Sequence, residues 1–77
     1  MIKIKICGIT QSGDALLASN LGIDALGFVF HSASPRNISI ADTDEILAIL
    51  PPFLTKVALF CNAKKAFIEQ VITQLDI

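Results

Sequence analysis

Apolar and polar positions along this chain fall into three successive strand-helix units. Ile2, Ile4 and Ile6 alternate with Lys3, Lys5 and Cys7, a period of two that predicts a first strand with unlike faces. Gly8-Ile9-Thr10 closes it. A helix is expected next, with Thr10 or Ser12 as its cap and Asp14 suited to the positive end of its dipole. Its apolar stripe is Ala15, Leu16, Ala18 and Leu21, and Gly22 stops it.

Ile23 to Phe30 is an apolar run broken only by Asp24 and Gly27, the pattern of a strand covered on both faces, as in parallel sheets. The loop HSASPRN follows, with Pro35 setting a turn. Ser39 and Asp42 then form a capping-box-like start to a second helix, whose buried side is Ile46, Leu47, Ile49 and Leu50 and which Pro51-Pro52 ends. Thr55 to Cys61 predicts a third strand of the buried type, with Asn62 as cap of the next helix. Phe67, Ile68, Val71, Ile72 and Leu75 mark one side of that helix, from about Lys64 to about Gln74. Strand and helix three times over imply an α/β architecture with a parallel sheet and functional loops at the carboxyl ends of the strands. Those loops are Cys7 to Ser12, His31 to Asn37 and Cys61 to Ala63. No low-complexity linker divides the chain, so residues 1–77 read as one domain or part of one.

Composition narrows the function classes. Of the 77 residues 53% are hydrophobic and 17% charged, with a net charge of −1, which describes a globular chain without the basic surface of a nucleic-acid binder. Its longest uncharged run, Ala25 to Pro35, is too short and too interrupted to cross a bilayer. The strand pattern begins at once, without the features of a secretory signal, so a cytoplasmic location is expected. Cys7 and Cys61 are expected as free thiols. Neither belongs to a CxxC pair, and the single histidine, His31, has no ligand-spaced companion, so no metal site is expected.

Four spaced motifs carry a more specific signal: KICGIT at Lys5 to Thr10, GIDALGFVF at Gly22 to Phe30, SPR at Ser34 to Arg36, and the LPPF and TKV stretches between Leu50 and Val57. Together they resemble the N-terminal part of the phosphoribosylanthranilate isomerases. That family is a single (β/α)₈ TIM barrel of tryptophan biosynthesis, and by the resemblance residues 1–77 would supply its first three βα units. It converts N-(5-phosphoribosyl)anthranilate into 1-(2-carboxyphenylamino)-1-deoxyribulose 5-phosphate by an Amadori rearrangement and needs no cofactor. The resemblance implies that Cys7 is the general base acting at C2 of the ribose-derived chain, and that Arg36 binds the anthranilate carboxylate. The chemistry agrees. A thiol works as a base where positive charge or backbone donors favour the thiolate, and an arginine fork matches a carboxylate with two parallel hydrogen bonds.

Two departures bear on this. His31 and Ala33 stand where the family has an aromatic residue and a lysine before SPR, which removes one positive charge near the barrel mouth. A barrel also takes at least about 200 residues. The general acid after the fifth strand and the phosphate loops after strands seven and eight have no counterpart in these 77 residues. Asp14, Asp24, Asp42 and Asp44 are expected in or beside helices, away from that role.

The first expectation is therefore an N-terminal isomerase fragment, inactive by itself, whose partners are a small phosphorylated substrate in the parent enzyme and either the remaining barrel units or further copies of itself. Neither nucleic acid nor membrane is among the expected partners. A second reading is a non-catalytic, self-associating interaction module derived from a barrel. A third is an unrelated small α/β binding protein, such as a phosphate-carrier or regulator domain. Plain structural readings stand beside the functional ones: Cys61 as a core or strand-end thiol, His31 as an exposed loop residue, and Gly27 as a point of close approach to the strand. Lys3 and Lys5 receive no role.

Overall fold

The computed structural model describes residues 2–77. The elements run β1 (Lys5–Cys7), α1 (Ser12–Asn20), β2 (Ala25–Phe30), α2 (Ile40–Ala48), β3 (Thr55–Phe60) and α3 (Lys65–Gln74). The strands form one parallel sheet in the order β1-β2-β3, with Cys7 opposite Gly27 and Gly27 opposite Val57. β1 is shorter than the alternation of its isoleucines suggests, and β3 ends one residue before Cys61.

The two faces of the sheet differ because side chains alternate along each strand. Leu26, Phe28 and Phe30 are buried and join Ala15, Ala18, Ile46, Val71 and Leu75 in a single apolar cluster, so the helices pack on that face. Phe30, Phe60 and Phe67 extend the cluster toward the carboxyl ends of the strands, with ring centroids 5.7–6.4 Å apart. Ala25 and Val29 of β2, and Val57 and Leu59 of β3, stand on the other face and are only half-buried. The expectation of strands covered on both sides therefore holds for the helix face alone. Among the described residues no layer lies over the second face.

The helix stripes need a similar correction. In α1 only Ala15 and Ala18 are buried, while Leu16, Leu17 and Leu21 remain exposed, Leu21 at 71%. Leu17 and Leu21 lie beside β1, an edge strand, and among the described residues nothing packs beyond that edge. In α2 and the turn after it, Ile46 and Leu50 are buried but Ile49 is exposed, and Thr43, absent from the expected stripe, is fully enclosed. Thr43 fits because its hydroxyl donates to the Ser39 carbonyl at 2.7 Å, which satisfies it inside the helix. In α3, Val71 and Leu75 are buried and Ile72 faces out.

Helix ends follow local chemistry in two cases. Ser39 caps α2, its side chain accepting from the Asp42 N–H at 3.0 Å. α1 closes in a Schellman arrangement around Gly22 at φ 78°, with the Gly22 N–H donating to the Ser19 carbonyl and the Ile23 N–H to that of Ala18. The expected caps Thr10 or Ser12 and Asn62 do not occur. Gln11 and Lys64 hold those positions without side-chain cap bonds. Asn62 instead takes the left-handed turn after β3 at φ 51°, a conformation that asparagine tolerates better than most residues.

At the amino ends of the strands, Asp24 ties β1 to β2. Its Oδ2 accepts from the Ile4 N–H at 2.7 Å, while its own N–H donates to the Ile4 carbonyl at 2.9 Å. Asp24 thus serves the sheet, at the end opposite the loops that follow the strands. No helix among the described residues is long and apolar enough to cross a membrane.

Candidate functional site

β1 brings Cys7 to the carboxyl edge of the sheet, and the register decides where its thiol goes. Because Cys7 is opposite Gly27, its side chain shares the uncovered face with Val57 and, two residues earlier, with Lys5. Beyond Cys7 the chain turns sharply. Gly8 sits at φ 84°, a left-handed conformation open to glycine at no steric cost, and the N–H groups of both Gly8 and Ile9 donate to the Gly27 carbonyl, at 3.0 and 3.1 Å. The end of β1 is therefore held directly against β2.

The SPR loop reaches the same place from β2. The Ser34 N–H donates to the His31 carbonyl at 2.9 Å and the Asn37 N–H to the Ser34 carbonyl at 3.1 Å, so HSASPRN folds as consecutive turns. The Arg36 N–H also donates to Ser34 Oγ at 3.1 Å. The Ile38 N–H then returns to the Val29 carbonyl at 3.0 Å, anchoring the loop's exit on β2. Arg36 is thereby laid across Gly8: a β-carbon at Gly8 would overlap Arg36 Cδ and lie 3.3 Å from both Nε and Nη1. Cys7, Gly8 and Arg36 all line one open groove of about 320 Å³, with Asp14 and Leu17 on its α1 side. Among the described residues the only ion pair is the exposed Lys65–Glu69 contact at 3.8 Å, so the Arg36 guanidinium has no carboxylate partner and is available to an anion.

A second groove, about 610 Å³, opens between the loops after β2 and β3 and is lined by His31, Asn37, Cys61, Lys64 and Phe67 among others. His31 is half-buried there rather than exposed as expected. Cys7 and Cys61 are both exposed, and both are free. Gly27 is indeed a point of close approach, but side chains as well as backbone approach it. The Asp24 bridge and the Gly8 seat for Arg36 escaped the linear reading. For the bridge no sequence signal distinguishes Asp24 from a turn residue, whereas a glycine directly after a strand-end cysteine was a usable sign of crowding.

No family model matches the chain. Individual relatives do. The curated N-(5'-phosphoribosyl)anthranilate isomerase of Geobacter sulfurreducens is 49% identical over 74 residues, which are 96% of this chain and 36% of that protein. The crystal structure of phosphoribosyl anthranilate isomerase from Thermotoga maritima superposes with a TM-score of 0.92 at 43% identity, covering 96% of this chain and 36% of its own. A phosphoribosyl anthranilate isomerase structure in complex with reduced 1-(o-carboxyphenylamino)-1-deoxyribulose 5-phosphate gives the same TM-score and identity, with 38% of its length covered. The chain thus spans about a third of the length of the relatives it matches. Three parallel strands, each followed by a helix, and sequence identity over nearly the whole chain make it homologous to the N-terminal portion of the phosphoribosylanthranilate isomerase TIM barrel.

Proposed function

We propose that residues 1–77 form one segment, the first three βα units of a phosphoribosylanthranilate isomerase, and contribute its general base and its carboxylate clamp. The observation that carries this reading is the meeting of Cys7 and Arg36, remote in sequence, in one groove at the carboxyl end of the sheet. In TIM barrels that end holds the active site.

The reaction starts from an N-glycosylamine whose sugar ring is closed. A general acid protonates the ring oxygen, the C1–O bond breaks, and the nitrogen lone pair forms a C1=N iminium. Cys7, as the base, then takes the proton from C2, and the C2–H electrons form the C1=C2 bond of an enolamine while the C=N pair returns to nitrogen. Proton gain at C1 and loss from the C2 hydroxyl yield the ketone. Arg36 holds the anthranilate carboxylate by two parallel N–H···O bonds, which fixes the amine while the sugar rearranges. By family resemblance the acid and the phosphate-binding loops come from later βα units, so this chain alone is inactive.

Replacing the matching third of the Thermotoga maritima enzyme by this chain tests the reading. The graft should turn over substrate; Cys7→Ala should lower kcat by about 10²-fold or more, and Arg36→Ala should raise KM by about 10–100-fold, the worth of a charged hydrogen-bonded contact. A folded graft whose turnover survives Cys7→Ala would overturn the assignment of the base.

A second, non-exclusive reading concerns partners. The uncovered sheet face, the open edges of β1 and β3, and the exposed Leu17 and Leu21 form an apolar surface that further βα units, or a second copy of the chain, would cover.

A further inference from the structure

Gly27 has no backbone reason to be glycine. Its φ lies outside the left-handed range that marks Gly8 and Gly22, and it sits mid-strand in a continuous parallel ladder, where a glycine weakens the sheet. What distinguishes the position is room. A β-carbon placed on Gly27 would lie 3.0 Å from Leu59 Cδ1, 3.2 Å from Cys7 Sγ and 3.3 Å from Cys7 Cα. All three distances are shorter than ordinary van der Waals contact, and one is to backbone that cannot rotate away. The paired bonds from Gly8 and Ile9 to the Gly27 carbonyl keep β1 from retreating.

We propose that Gly27 is a positioning residue: the space left by its missing side chain is a niche for the Cys7 thiol, walled on the far side by Leu59. The sulfur lies over β2, toward the middle of the sheet, rather than out at the β1 edge. The niche itself follows from geometry alone, and its consequence for turnover rests on the reading of Cys7 as the base. A methyl at position 27 would fill the niche, push Leu59 aside and rotate the thiol outward. A base so displaced no longer meets C2 of a bound sugar, whereas the carboxylate clamp is untouched.

The test uses the chain itself, alkylated with iodoacetamide while peptide mass spectrometry follows Cys7 and Cys61 separately. Cys61, just past the end of β3, is the internal reference: local displacement alters the ratio of the two rates, and unfolding moves both toward the value in urea. Gly27→Ala should raise the Cys7:Cys61 ratio by about 1.5- to 2-fold, since Cys7 is already exposed on one side and thiol reactivity follows access. Leu59→Ala, at a half-buried position, removes the wall and should raise the ratio in the same direction. Gly13→Ala, with open space around its β-carbon, should leave it unchanged. Unchanged ratios in Leu59→Ala and in any folded Gly27→Ala overturn the niche, and if Gly27→Ala unfolds, Leu59→Ala alone decides. In the graft, Gly27→Ala should lower kcat by about 10–100-fold with KM little altered, as expected for a misplaced reacting group. A ratio that shifts without any loss of kcat would leave the niche standing and overturn the role of Cys7 as base.

Discussion

Val71 and Ile72 are neighbours on α3 with opposite fates, and together they test which side of that helix is the inside. Val71 is 0% exposed and Ile72 58%. Val71→Ala removes two buried methyl groups at about 0.8 kcal/mol each and leaves a small cavity, for a cost of about 2–3 kcal/mol. At about 0.05–0.15 kcal/mol per residue, the 77-residue chain has about 4–12 kcal/mol in all, so this is a large share. A domain of this size loses about 4–8 °C per kcal/mol, which predicts a fall in Tm of about 8–24 °C. Ile72→Ala removes a larger side chain, yet most of that side chain is already in water. Its lost burial, under about 1 kcal/mol, is offset by about 0.4 kcal/mol of better helix propensity. Thermal unfolding followed by circular dichroism, at one protein concentration for all variants, should place Ile72→Ala within about 4 °C of the parent. An Ile72→Ala penalty equal to that of Val71→Ala would refute the reasoning and show that the outer face of α3 is covered.

Ser39→Ala removes the cap on the Asp42 N–H and should cost about 1 kcal/mol, read as a lower urea midpoint with an unchanged slope; no change in midpoint would mean that water replaces the cap at no loss. Replacing Leu17 and Leu21 by glutamate should abolish concentration-dependent association of the chain in sedimentation while leaving its helix content intact. A parent chain that sediments as a compact monomer at micromolar concentration would refute the docking surface.

The order and type of all six elements were legible in the chain because strand and helix periods differ and because glycine and proline punctuate them. Ser39 and Asp42 even specified a cap, since its chemistry is complete within four residues. Burial was less legible. Leu17 and Ala18 are adjacent and both apolar, and only the position of α1 beside an edge strand leaves the leucine in water while the alanine is buried. Thr43 reads as polar in the sequence and becomes core because a carbonyl one turn earlier accepts its proton. Asn62 reads as a cap and becomes a left-handed turn.

The candidate site divides along the same line. KICGIT and SPR, by their residues and their resemblance, were enough to single out Cys7 and Arg36, because a thiol at a strand end and an arginine in a post-strand loop are local features. Their meeting is not local. It depends on the pairing of Cys7 with Gly27, on the two hydrogen bonds that the Gly8 and Ile9 N–H groups donate to the Gly27 carbonyl, and on the turns that lay Arg36 across Gly8. The order of residues alone specifies which groups are available and the repeating βα order that carries them. Only folding sets a glycine just past β1 beside one within β2 and so leaves the space in which those groups come together, because steric room is a property of neighbours that the chain's order does not list.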